Sequence, residues 1–177
     1  MMSTTVDDIN DQPTVTRNEV DAHGMVFVSG PSRIDEGVAD NDVTPGALLV
    51  AGATGEEYVD EAGSVDANVI AYALENDWRK VDPEGAAADD TPYYNDFSAD
   101  EHVPYNKATD SEFKGMLAAG ENVAKGDDLV PASGGELQAY DASAVDHNPD
   151  DIVAQAQEDL DNSGATETAR LHAKFQP

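Results

Sequence analysis

Apolar positions in this chain come in short runs, and most alternate with polar ones, which is the period of a strand covered on one side by a core. The cleanest case is the last segment. Ala169, Leu171, Ala173 and Phe175 fall on one face, and Arg170, His172, Lys174 and Gln176 on the other. Met25–Val28 predicts a first strand closed by the Gly30-Pro31 turn, and Tyr58–Val59, Val69–Leu74, Glu112–Leu117 and Glu136–Tyr140 predict further strands. Ile34 and Val38 stand in a polar, acidic passage that predicts no element. The stretch from Asn148 to Leu160 reads two ways. Locally it has Asn148 as N-cap, Pro149 in the first turn, and Ile152, Ala156 and Leu160 on one helical stripe. The internal repeat described next makes it a strand, hairpinned to the last segment through Asn162-Ser-Gly164, and the strand is the reading adopted.

The repeat is visible in two pieces. Val43-Thr-Pro-Gly46-Ala-Leu-Leu49-Val50 and Val123-Ala-Lys-Gly126-Asp-Asp-Leu129-Val130 both read V-x-x-G-x-x-L-V, at an offset of 123 − 43 = 80. Ile70-Ala-Tyr-Ala-Leu-Glu-Asn76 then aligns with Val153-Ala-Gln-Ala-Gln-Glu-Asp159, at 153 − 70 = 83. Two matches in the same order predict a duplication. Each V-x-x-G-x-x-L-V is a tight turn on a glycine followed by a short apolar strand, so Gly46 and Gly126 are expected in equivalent turns, with Gly134-Gly135 turning a later hairpin.

The expected fold is all-β: a small β-barrel or β-sandwich-like domain with an internal pseudo-repeat, an extended N-terminal arm and a long irregular loop. The arm covers 1–24 and a single β domain 25–177, with pseudo-repeats over about 40–76 and 120–160 and an inserted loop over about 76–110. The arm is polar and acidic, with Val15 and Arg17 its contact candidates. The loop holds Pro83, Pro92 and Pro104, yet also Trp78, Arg79, Tyr93, Tyr94, Phe97 and Tyr105. Aromatic side chains at that density predict packing, either on the chain's own barrel or on a partner.

Charge changes the picture of the surroundings. Asp and Glu number 37 against 9 Lys and Arg, a formal charge of −28, and the acids are spread along the chain. With scarce lysine and abundant Ala, Val, Gly and Asp, the composition resembles that of proteins from extreme halophiles. No basic stripe exists to neutralise phosphates, so neither nucleic acid nor an anionic membrane is an expected partner. No apolar run reaches the length of a membrane-spanning helix. Met1-Met-Ser-Thr-Thr5 lacks the charged and apolar regions of a secretory leader, so none is expected. With no cysteine, disulfides and thiolate metal sites are excluded.

No catalytic constellation stands out, and no enzyme, cofactor or metal is expected. His23, His102, His147 and His172 are scattered without H-E-x-x-H spacing, and neither G-x-S-x-G nor a phosphate-binding G-x-x-x-x-G-K-[ST] occurs. Acid pairs such as Asp89-Asp90 and Asp127-Asp128 lack the D-x-[DN]-x-[DN]-G series of a calcium loop. Arg170, His172 and Lys174 share one strand face, suited either to cross-strand pairing with the chain's own acids or to an acidic neighbour.

Glu112-Phe-Lys-Gly-Met-Leu-Ala-Ala-Gly-Glu-Asn-Val-Ala-Lys-Gly-Asp-Asp-Leu-Val130, followed by Gly134-Gly-Glu-Leu137, resembles the capsid decoration and minor capsid (cement) proteins of tailed viruses. Ile152-Val-Ala-Gln-Ala-Gln-Glu-Asp-Leu-Asp-Asn-Ser-Gly164 with Ala169-Arg-Leu-His-Ala173 is similar to their ending. The resemblance implies a β-barrel-like protein that forms homotrimers on the outer surface of a capsid and cements the shell of major capsid protein. With the acidic composition it points to a haloarchaeal tailed virus. Val15, Arg17, Trp78, Arg79, Tyr93, Tyr94, Phe97, Tyr105, Arg170 and Lys174 are then the candidates for protein contact. The competing expectation is a small-ligand or carbohydrate-binding β-barrel of a halophile, with Trp78 and the tyrosines as a stacking platform.

Salt dependence follows from the charge. In dilute buffer the carboxylates repel one another, and in molar salt the Debye length shrinks to about 3 Å. Circular dichroism melting should show a higher Tm in several molar KCl than in dilute buffer; an unchanged melting curve and oligomer mass would contradict the halophilic reading.

Overall fold

The computed structural model describes residues 26–75 and 96–177. The arm expected over 1–24 and most of the aromatic stretch lie outside them. Thirteen strands follow in order: β1 (Phe27–Ser29), β2 (Ile34–Ala39), β3 (Leu48–Ala51), β4 (Tyr58–Glu61), β5 (Ala71–Ala73), β6 (His102–Asn106), β7 (Glu112–Leu117), β8 (Asn122–Val123), β9 (Asp128–Pro131), β10 (Leu137–Ala139), β11 (Ala154–Ala156), β12 (Leu160–Asp161) and β13 (Ala169–Phe175). The only helical pieces among the described residues are single 3-10 turns at Ser133–Gly135 and Pro149–Asp151.

The β fold closes twice. In the first barrel β2 pairs parallel with β4, and β4–β3, β3–β5, β5–β6 and β6–β2 are antiparallel. In the second, β7 pairs parallel with β10, and β10–β9, β9–β11, β11–β13 and β13–β7 are antiparallel. Order and sense are the same in both rings. Closure matters for a chain of such short strands, because it removes the free edges of each sheet.

Register makes the equivalence residue-specific. Leu49 faces Glu61 on one side and Ala71 on the other. Leu129 faces Ala139 and Ala154, so 129 − 49 = 80 and 154 − 71 = 83 reproduce the two sequence offsets. The turn before each strand is also shared. Gly46 has φ 87° and donates its N–H to Ala73 O at 3.0 Å, and Gly126 has φ 96° and donates to Ala156 O at 2.8 Å. Val43 bridges Phe97 as Val123 pairs with Leu160.

Several elements differ from the sequence expectation. Ile34–Ala39, assigned no element, is β2, and residues 102–106, read as part of a loop over 76–110, are β6. Pro104 sits inside β6 because its carbonyl accepts the Leu74 N–H at 2.8 Å, while its nitrogen needs no acceptor. Both readings of 148–160 hold a part of the result. Asn148 caps one 3-10 turn, its N–H donating to the Asp151 carboxylate at 3.0 Å, and the chain then extends into β11. Gly134 and Gly135, at φ 73° and 68°, turn the β9–β10 hairpin through a 3-10 turn.

The barrels share a core. Ala39, Val43, Leu49, Val59, Ala71, Ala73, Phe97 and Val103 fill the first barrel. A larger cluster joins Leu48, Tyr72 and Leu74 of the first barrel to Phe113, Leu117, Leu129, Leu137, Leu171 and Phe175 of the second. Single crossings reinforce the seam: Gly135 N–H donates to Ala62 O at 2.9 Å, and the Arg170 guanidinium to Pro45 O at 2.6 Å.

The two equivalent glycines therefore predict unequal costs. A methyl at Gly126 meets open space, so Gly126→Ala should lose about 1 kcal/mol from backbone strain alone. At Gly46 it would lie 2.6 Å from Lys114 O and collide with Arg170, adding roughly 1–3 kcal/mol. Urea unfolding of both variants in molar salt should rank Gly46→Ala as clearly the more damaging; equal losses would show that the seam is not packed against that turn.

Candidate functional site

The basic face of β13 is held by the chain's own groups. Its partner β7 sets Arg170 opposite Met116, His172 opposite Lys114 and Lys174 opposite Glu112. Lys174 pairs with Asp110 at 2.8 Å, and Lys114 with Glu158 at 3.3 Å. His172 Nε2 lies 3.2 Å from Glu112, and its backbone N–H donates to Glu158 at 2.6 Å. Glu112 is held below its ordinary pKa, first by the Ser29 hydroxyl and then by His172 and Lys174. The opposite face of the strand, Leu171, Ala173 and Phe175, is fully buried.

Where β13 leaves this ladder, Arg170 enters a cleft of about 570 Å³ between the barrels, lined by Thr44, Asp96, Met116, Glu136, Thr168 and Arg170. Glu61, the last residue of β4, is bonded to Thr44 of its lining. Its carboxylate accepts the Thr44 N–H at 2.7 Å and faces Gly134 of the turn between β9 and β10. Burial pushes its pKa from 4.5 to about 7, against the lowering hydrogen bonds from Thr44 and with repulsion from Asp96 and Asp60. Burial also raises Glu136. Such shifts mark carboxyls whose charge is poorly solvated where they sit. No group of three His, Cys, Asp or Glu is placed to hold a metal ion among the described residues.

The remaining contact candidates separate. Phe97 is a core residue, 1% exposed, because its bridge to Val43 turns the ring into the first barrel. Tyr105 is half-buried against the same core, with the Lys107 ammonium 5.9 Å over its ring. Val15, Arg17, Trp78, Arg79, Tyr93 and Tyr94 lie outside the described residues. Of the histidines, His102 is exposed near Glu36, and His147 stacks on Tyr140 with ring centroids 6.0 Å apart. Sequence reasoning missed Glu61 and Glu136, since one acid among 37 carries no signal.

The raised pKa of Glu61 fixes the sign of a stability change with pH. The unfolded chain ionises this group near 4.5 and the folded chain near 7, so between them the native state holds more protons. Its contribution is complete below 4.5, falls as pH rises, and is gone above about 7. The full shift, discounted for partial exposure, corresponds to on the order of 2 kcal/mol. Denaturant unfolding of the native chain and of Glu61→Gln between pH 5 and 8 should differ by this slope, and parallel curves would contradict it.

No protein-family model matches the chain, and no curated protein sequence matches it. Among solved structures it is similar to the N base of head fiber gp8.5 of bacteriophage phi29, at 16% identity over 83% of this chain and 95% of that one, with a TM-score of 0.46.

Proposed function

We propose that this protein is a structural component of a virion, a homotrimer on the outer surface of a capsid that stabilises the shell of major capsid protein, and that it has no catalytic role. The observation that carries the reading is where the chain adds residues to a barrel that closes without them. In the second barrel Gln157-Glu158-Asp159 leads directly from β11 to Leu160. In the first, Leu74-Glu75 and Asp96-Phe97 occupy the matching places: the offset is 156 − 73 = 83 before this point and 160 − 97 = 63 after it. The surplus is the twenty residues 76–95, which include Trp78, Arg79, Tyr93 and Tyr94. Aromatic residues and arginine in a segment that barrel closure does not need suit the buried centre of an interface.

The viral assignment rests on the sequence resemblance, whose residues 112–130, 134–137, 152–164 and 169–173 touch every strand of the second barrel. Its haloarchaeal form rests on the acid surface, which suits a protein working in concentrated salt.

Deleting residues 76–95 joins Glu75 to Asp96 and recreates the Glu-Asp link of the second barrel. In molar KCl the deleted chain should melt as a folded protein. By native mass and co-sedimentation the full chain should be a trimer that binds capsids of a haloarchaeal tailed virus, and the deletion should weaken trimer or capsid contact. Undiminished binding by the deletion removes the segment from the interface. A monomeric full chain that ignores capsids and binds a sugar defeats the proposal.

A further inference from the structure

The seam between the barrels brings together a half-buried acid, further acids and the backbone bonds that hold the joint. Glu61 ends β4, and the next residue, Ala62, accepts the Gly135 N–H at 2.9 Å from the turn of the other barrel. That turn packs closely, since a methyl on Gly135 would lie 2.6 Å from Ala47 Cβ and 3.0 Å from Leu48 O. The charged and titratable groups around Glu61 come from every side. Asp60 is its neighbour on β4, Asp96 precedes the Phe97 bridge, Glu136 leads into β10, and Arg170 enters from β13. Thr44 offers its N–H from the first glycine turn. On β7, Lys114 pairs its ammonium with Glu158. Asp60 and Asp96 both act against a negative charge on Glu61.

We propose that this seam is a proton-dependent joint: with Glu61 neutral it is closed as described, and with Glu61 ionised it loosens while each barrel stays folded. A carboxylate formed beside Gly134 must draw in water or move away from Asp96, and both open the cleft rather than the barrels. Inside the first barrel this carboxyl accepts the Thr44 N–H, a bond its ionised form keeps, and the strand ladders of both barrels run through backbone groups alone. Ala73 N–H reaches Ala47 O and Ala156 N–H reaches Asp127 O, both at 2.9 Å, each from a strand to the glycine turn of its own ring.

Amide hydrogen exchange on the full chain at fixed molar KCl tests the joint, read as protection relative to the intrinsic rate. Between pH 5.5 and 8.5 protection of Gly135 should fall by about tenfold or more with its midpoint near 7, while Ala73 and Ala156 keep theirs. Glu61→Gln should make Gly135 insensitive to pH, and Asp96→Asn should move the midpoint to lower pH by removing a repelling charge. The idea is overturned if Gly135 is flat in the native chain, if Ala73 and Ala156 lose protection with it, or if the change survives Glu61→Gln and disappears in Glu136→Gln. Should Glu61→Gln not fold, the carboxyl carbon of Glu61 can be followed by NMR in the native chain. A titration that does not coincide with the change at Gly135 is equally decisive against the joint.

Discussion

The largest side chain crossing from one barrel into the core of the other is Tyr72. Tyr72 lies on β5 between Leu48 and Asn106, and it is fully buried although it points away from the interior of its own barrel. Ala71 and Ala73, on either side of it, face inward and belong to the first barrel's core. Tyr72 instead crosses into the second, stacking on Phe113 at 4.2 Å and meeting Phe175 edge-on at 5.3 Å. Its hydroxyl donates to Ser111 Oγ at 3.1 Å and accepts from Asn106 Nδ2 at 2.8 Å. Aromatic pairs of this geometry add about 0.5–1.5 kcal/mol each beyond area burial, and the two hydrogen bonds remove the penalty of burying the hydroxyl. Ser111 and Asn106 flank the link between β6 and β7, so the same network also fixes the path of the chain from one barrel to the next.

The need for such a tie follows from size. Among the described residues eight buried ones fill the first barrel, and so small a core buries too little apolar surface to be robust alone. The second copy of Tyr72 in the duplication is Gln155 (155 − 72 = 83), half-buried and opposite Lys174. A symmetric pair of barrels would have left both outward positions on β5 and β11 polar. Making one of them tyrosine adds an asymmetric aromatic contact to the backbone crossings between the copies, and it lets Leu48 and Leu74 serve the shared core as well.

The legible parts of this fold are those where a residue acts through its own backbone or its near neighbours. The φ of Gly46 and Gly126, the alternation of Ala169 to Phe175 and the cap at Asn148 are all local, and each was visible in the sequence. Even there, the cap yielded only one turn, because Ala154 and Ala156 are needed inside the second barrel. β2 was hidden since Ile34, Asp35 and Glu36 are all exposed, leaving no alternation to see. β6 was hidden by Pro104. The cleft was not legible at all: Glu61 is an ordinary acid until the turn at 133–135, more than seventy residues away, packs beside it.

The same distance effect governs how few cations serve so many acids. Nine basic residues cannot neutralise 37 acidic ones, so their positions decide where repulsion is relieved. Lys107 pairs with Asp35 and Lys174 with Asp110, both at the link from β6 to β7. Pairs that keep such solvent contact contribute only about 0–1 kcal/mol apiece, so they relieve local repulsion at this crossing more than they stabilise the fold. Asp40, half-exposed, and Asp141 and Asp161, exposed, instead take hydrogen bonds from nearby Thr and Ser residues, which hold their pKa values low. Those acids are charged at any physiological pH and rely on salt for screening. The seam is the exception, because partial burial there leaves Glu61 poorly reached by mobile ions. Salt and protons therefore act on different parts of this molecule, salt on the solvated surface of both barrels and protons on the joint between them.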